Sequence, residues 1–92
     1  MINYSLEEAK KILKEHDNSQ INCIPHAQFR AMQRNIDMNY AVKCLNNKPE
    51  SFTKETENRF KLIYPQKDSK ALKLTIIIEI QDNEDILFIT FY

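Results

Sequence analysis

Glycine is absent from all 92 residues. Without it, every turn must be made by Asn, Asp, Ser or Pro, which adopt turn geometry less permissively than a residue lacking a Cβ. Cysteine is nearly absent too: Cys23 and Cys44 form neither a dense disulfide framework nor a paired C-x-x-C, and so point to a reducing compartment. No apolar run approaches the roughly 20 residues of a membrane span, and the N-terminus lacks the basic-then-apolar pattern of a signal peptide. A soluble cytoplasmic protein with no membrane partner is therefore expected. Net charge is missing as well, because thirteen basic and thirteen acidic residues cancel. No global field draws the protein to nucleic acid, and any anion site must be local. The charges are unevenly placed: Lys54, Arg59, Lys61, Lys67, Lys70 and Lys73 crowd one stretch, and only Glu79, Asp82, Glu84 and Asp85 follow.

What is present reads as one α+β domain spanning residues 1–92. Ser5 and Glu8 have the spacing of a capping box for a first helix from Leu6 to about His16, with Leu6, Ala9, Ile12 and Leu13 as its apolar stripe. Asp17 to Gln20 breaks that period as a polar loop. Pro25 suits the first turn of a second helix, and Asp37 can cap a third whose apolar positions are Met38, Ala41, Val42 and Leu45. After Pro49 the period changes from 3.6 to 2. Ser51–Thr56 and Arg59–Tyr64 read as a hairpin, followed by a polar connection from Pro65 to Lys70. Leu72 to Gln81 is the clearest strand, Asp82 to Asp85 turns the chain, and Ile86 to Tyr92 forms a last strand. The expected architecture is three N-terminal helices packed on one face of a four-stranded antiparallel sheet. In the last strand Leu87, Ile89 and Phe91 are the set expected to face the helices, which leaves Thr90 and Tyr92 on the opposite face or its rim.

The second helix carries the residues chosen for chemistry. His26, Arg30 and Arg34 recur every four positions and form one polar stripe, while Phe29, Met32 and Ile36 share a neighbouring face expected to press into the core. An imidazole and two guanidiniums on one stripe suit anion recognition or phosphate chemistry. A solvated helix face, with Arg30 or Arg34 paired to Asp37 or Glu79, fits the same pattern. His16 suits the end of the first helix, where a cation complements the dipole. Cys23 and His26 have C-x-x-H spacing, half of a zinc site, but no paired motif supplies the other half, so neither a metal nor a cofactor is expected. Cys44 lies among apolar neighbours as a small buried hydrophobe. Lys61, Lys67, Lys70 and Lys73 form either a basic rim or a guard against strand-to-strand aggregation.

A helix reading H-A-x-x-R-x-x-x-R-x-I (His26, Ala27, Arg30, Arg34, Ile36) is followed by a P-E pair (Pro49, Glu50), a strand starting R-F (Arg59, Phe60) and a terminal I-T-x-Y (Ile89, Thr90, Tyr92). This ordered set resembles a family of small bacterial and archaeal domains of unknown function, itself similar to the barnase, EndoU, colicin and RelE group of metal-independent ribonucleases, many of them toxins. The resemblance covers residues 22 to 92 and leaves residues 1–20, the first helix and its loop, outside. Asn35 stands where the family commonly has Gly, and Asn tolerates the same left-handed backbone.

The resemblance implies RNA as substrate and a cognate antitoxin or immunity protein as partner. Metal-free RNA cleavage needs a base for the 2′-OH proton, an acid for the leaving oxygen and fixed positive charge on the phosphate. His26 is the only good base on the stripe, Arg30 and Arg34 can grip phosphate oxygens, Arg59 and Lys61 add contacts from the sheet, and Thr90 and Tyr92 position the phosphate or supply a proton. The alternative is a non-catalytic interaction module that binds a partner, or itself as a homodimer, through the apolar residues Ile77, Ile86 and Phe88, expected on the outer face.

Overall fold

A computed structural model describes residues 3–66 and 72–92. Three helices lie on one face of a five-stranded mixed sheet: α1 (Leu6–Glu15), β1 (Ile21–Cys23), α2 (Pro25–Gln33), α3 (Met38–Cys44), β2 (Ser51–Lys54), β3 (Arg59–Pro65), β4 (Lys73–Ile80) and β5 (Ile86–Phe91). The sheet order is β1-β5-β4-β3-β2. β2 through β5 form the expected antiparallel meander, and β1 adds a fifth strand, parallel to β5, with Ile21, Asn22 and Cys23 opposite Ile86, Leu87 and Phe88. The four-stranded expectation is corrected on this point. Three residues without a clear alternation carry no strand signal of their own, and only the finished edge of β5 gives them a partner. The Lys67–Lys70 part of the polar connection lies outside the described residues.

Local chemistry sets the helix ends. Ser5 and Glu8 complete the capping box of α1, Pro25 opens α2 at its first position, and the Asp37 side chain accepts from the N–H groups of Asn39 and Tyr40 to start α3. α2 stops at Gln33, three residues before Ile36. Asn35 adopts φ 58° and donates to Met32 O at 3.2 Å, while Ile36 donates to Ala31 O at 2.8 Å. These two bonds are the paired closure of a Schellman end, and Asn35 fills the position that glycine usually holds. Among the described residues the second left-handed one is Glu84 at φ 69°. It lies in the turn between β4 and β5, where its N–H donates to Gln81 O at 2.9 Å. The expectation that Asn, Asp, Ser or Pro would make every turn therefore fails at Glu84, where the hairpin geometry imposes the conformation on an acidic residue.

The core lies between the helices and the inner face of the sheet. Phe60, Leu62 and Tyr64 of β3, Leu74, Ile76, Ile78 and Ile80 of β4, and Ile86, Phe88 and Phe91 of β5 are all buried. They meet Ala9, Ile12 and Leu13 of α1, Ala27 and Ala31 of α2, and Ala41 and Cys44 of α3. The apolar face expected for α2 is corrected: Phe29 and Met32 are 57% and 80% exposed, and the inward stripe is Ala27 and Ala31. β1 joins β5 before the helix begins and so fixes its rotation, and small alanines let its axis approach the sheet. The inner face of β5 is corrected in its first half, where Ile86 and Phe88, expected outside, are fully buried and Leu87 and Ile89 are not. A register shift between Ile77 and Ile78 inserts one residue into β5, so Ile78 faces Phe88 while Ile77 faces Thr90. This β-bulge reverses the alternation and brings Phe91 inward.

The first helix is tied to the sheet. Tyr4 N–H donates to the Oδ1 of buried Asn58 at 2.9 Å, the Tyr4 hydroxyl contacts the carbonyls of Gln81 (3.1 Å) and Asp82 (3.2 Å), and Lys54 Nζ donates to Tyr4 O at 2.6 Å. Among the described residues no helix is long and apolar enough to cross a membrane.

Candidate functional site

β1 ends at Cys23, opposite Phe88, and the Ile24 N–H makes one further bond to Phe88 O at 3.3 Å. Pro25 then starts α2, so its first turn lies beside the part of β5 that runs on past β1. His26 sits in that turn, and its Nε2 is 3.5 Å from the Thr90 hydroxyl oxygen. The hydroxyl can donate to an unprotonated Nε2 or accept from Nε2–H. Strict alternation from Phe88 would have sent Thr90 inward, and the bulge places it on the outer face.

Thr90 opens onto a shallow groove of about 480 Å³ on the sheet face away from the helices. Ile77 and Ile89 give it an apolar floor, Arg59 and Lys61 line one side, and Tyr92, 51% exposed, stands at the end. The register explains the grouping, because Lys61 is opposite Ile77 and Ile77 is opposite Thr90, which puts all three on one face. Tyr92 is fixed by its N–H, which donates to Thr75 O at 2.9 Å.

Both cations of the groove face acids. Arg59 Nε donates to Glu79 Oε1 at 3.1 Å, and Gln81 Nε2 donates to Glu79 Oε2 at 2.8 Å. Lys61 Nζ lies 3.9 Å from Glu55 Oε1. Arg59 keeps the donors of its two terminal nitrogens for an incoming anion. Glu79 is thus held by Arg59, and the Asp37 side chain caps α3. Among the described residues neither guanidinium on α2 has an ion-pair partner.

The groove therefore brings Thr90, Tyr92, Arg59 and Lys61 together, and His26, which does not line it, meets it through Thr90. Arg30 stands one turn from His26 and is half-buried; Arg34 is exposed at the far end of α2, about 12 Å along the helix axis from His26. Lys67 and Lys70 lie outside the described residues, and Lys73 is held by Glu50 at 2.7 Å. Sequence reasoning missed Glu55, Thr56 and Ile89 as groove residues, whereas Ile77 is on the outer face where it was expected. The hairpin register is the signal for Glu55, whereas Ile89 is placed by a bulge that has none.

His16 caps the end of α1, with Nδ1 against Leu13 O. Burial pushes the thiols of Cys23 and Cys44 up from their ordinary range, as befits packed rather than reactive sulfur. Among the described residues no three His, Cys, Asp or Glu side chains gather as a metal site. Comparison of the chain with protein-family models, curated proteins and solved structures gave no match.

Proposed function

We propose that this protein is a metal-independent RNA endonuclease, or an RNA-binding derivative of one, of the barnase and RelE-like type. The observation that carries the reading is the meeting of His26 with Thr90 beside a groove that holds Arg59, Lys61 and Tyr92. Two cations and an aromatic hydroxyl in one concavity, with a base beside its Thr90 edge, match what phosphodiester transfer requires.

In this reading the His26 ring, oriented by its Nε2–H donating to the Thr90 hydroxyl, takes the 2′-OH proton at Nδ1. The 2′ oxygen attacks phosphorus while the bond to the 5′ oxygen breaks, and that oxygen takes a proton from the Tyr92 hydroxyl. The products are a 2′,3′-cyclic phosphate and a 5′-hydroxyl. Arg59 stabilises the charge that builds on the phosphate, and Arg30 and Lys61 hold neighbouring phosphates. The apolar floor and exposed Tyr92 favour an unpaired strand whose bases can stack.

The test is incubation of purified protein with single-stranded and structured RNAs in EDTA. Cleavage that leaves a cyclic phosphate, abolished by His26→Ala, is expected; inactivity of the wild type on every RNA class together with no measurable RNA binding overturns the reading. A non-catalytic module using the outer face would retain Ile77 but not Ile86 or Phe88, which are buried in the core.

A further inference from the structure

A second concavity, of about 540 Å³, lies on the helix side of the sheet between α1 and the segment that joins α3 to β2. It shares no lining residue with the Thr90 groove. Its accessible apolar surface comes chiefly from half-buried Pro49 and Phe52, above the buried Leu13 and Leu45. Phe52 is half-buried there, its ring tilted against Phe60 with centroids 5.7 Å apart.

The rim is basic on both walls. Lys10 and Lys14 stand one turn apart on α1, and Lys48 faces them from the other side. Lys14 and Lys48 have no ion-pair partner among the described residues, and Lys10 has only a 3.9 Å approach to Glu7, with the two side chains 50% and 86% exposed. Such an exposed contact holds its partners weakly. Glu50 is the single acid of the lining, and Lys73 occupies both its oxygens at 2.7 and 3.0 Å.

We infer that this cleft docks an acidic, amphipathic peptide segment of a partner protein. Its apolar side chains would cover Pro49 and Phe52 while carboxylates on its two flanks meet Lys10 and Lys14 on one wall and Lys48 on the other. Positive charge on both sides of an apolar strip is what selects a peptide. A fatty carboxylate has one head and complements one wall only. The volume lies in the range of sites that bury several side chains of a ligand.

The test uses a fluorescent peptide of about twelve residues with Leu at positions i, i+3, i+4 and i+7 and Glu between them. Its partners are the same peptide with Lys for Glu, a single-stranded RNA, and dodecanoate below its micelle concentration. Anisotropy and amide chemical shifts are read on the full chain. Expected are a Kd of roughly 10–100 μM for the acidic peptide, shifts confined to α1 and residues 45–52, and at least about a tenfold loss in Lys14→Glu and in Lys48→Glu. Both lysines are exposed, so the spectra of these variants report that the fold is kept. No binding of the acidic peptide at about 1 mM, equal binding of the basic peptide, indifference to both variants, or occupation of the cleft by dodecanoate or RNA in place of the peptide overturns the inference. RNA cleavage by the same variants is read separately, so loss of the peptide site and failure of the ribonuclease reading give different results.

Discussion

Nε2 of His26 and the hydroxyl oxygen of Thr90 stand 3.5 Å apart, although 64 positions separate them in the chain. If Thr90 orients the base, Thr90→Val keeps the shape, removes the hydroxyl, and lowers RNA cleavage about tenfold with a shifted pH profile. His26→Ala removes the base itself and costs about 10²–10⁴ in rate. Initial rates across pH check both. A Thr90→Val enzyme with unchanged rate and profile removes Thr90 from the site.

Glu79 holds Arg59 across the β3–β4 ladder. Glu79→Gln should change stability by less than about 1 kcal/mol, since both side chains are partly exposed and water screens the pair. The freed guanidinium should tighten RNA binding at low salt, and the gain should fade as ionic strength rises. Urea unfolding and filter binding over a salt series measure the two effects.

Among the described residues of a chain without glycine, Asn35 and Glu84 carry the left-handed conformations. Glu84→Gly relieves the steric cost and should raise stability by up to about 1 kcal/mol after the larger unfolded-state entropy of glycine is subtracted. Asn35→Gly should be nearly neutral, and Asn35→Val should cost about 1–2 kcal/mol. Denaturant midpoints at constant m-value report these changes.

Phe88 is fully buried and Ile77 lies on the other face of the sheet. Phe88→Ala should lose about 3–5 kcal/mol, a large part of what a domain of this size has. Ile77→Ala should lose about 2 kcal/mol, the low end for a buried isoleucine, because Ile77, though only 9% exposed, lies outside the core cluster. Thermal and urea unfolding separate the two faces.

Tyr64 is buried and its hydroxyl donates to Asn47 O at 3.1 Å. Burial pushes its ionisation well above the ordinary tyrosine range. Its contribution is complete below about pH 10, where the unfolded phenol is still protonated. Above that the unfolded state loses its proton first, and stability falls as pH rises. Tyr64→Phe should flatten this alkaline loss in urea midpoints measured from pH 8 to 11. An unchanged slope assigns the loss to other groups, Tyr4 and Tyr40 among them, whose ionisation burial also raises.

The three helices, their caps and the four strands of the meander were legible in the chain because each depends on neighbours a few residues away. Ser5 with Glu8, Pro25 and Asp37 act on adjacent backbone groups, and the alternation from Leu74 to Ile80 states which side of β4 is buried. β1, the rotation of α2 and the bulge in β5 were not legible. Ile21–Cys23 has no strand pattern, and Phe29 and Met32 out-rank Ala27 and Ala31 in hydrophobicity yet face solvent.

The sequence by itself determined which side chains are available for chemistry, His26 on a helix and Thr90 and Tyr92 on a terminal strand, and it determined that anion binding must be local in a chain without net charge. Only the tertiary structure decided that these residues lie close together at the end of β5. The parallel pairing of β1 with β5 delivers the start of α2 to the side of Thr90, and one inserted residue in β5 turns that hydroxyl outward. Strand pairing and a bulge are contacts between segments distant in the chain, fixed by whole-sheet packing, and no local pattern encodes them.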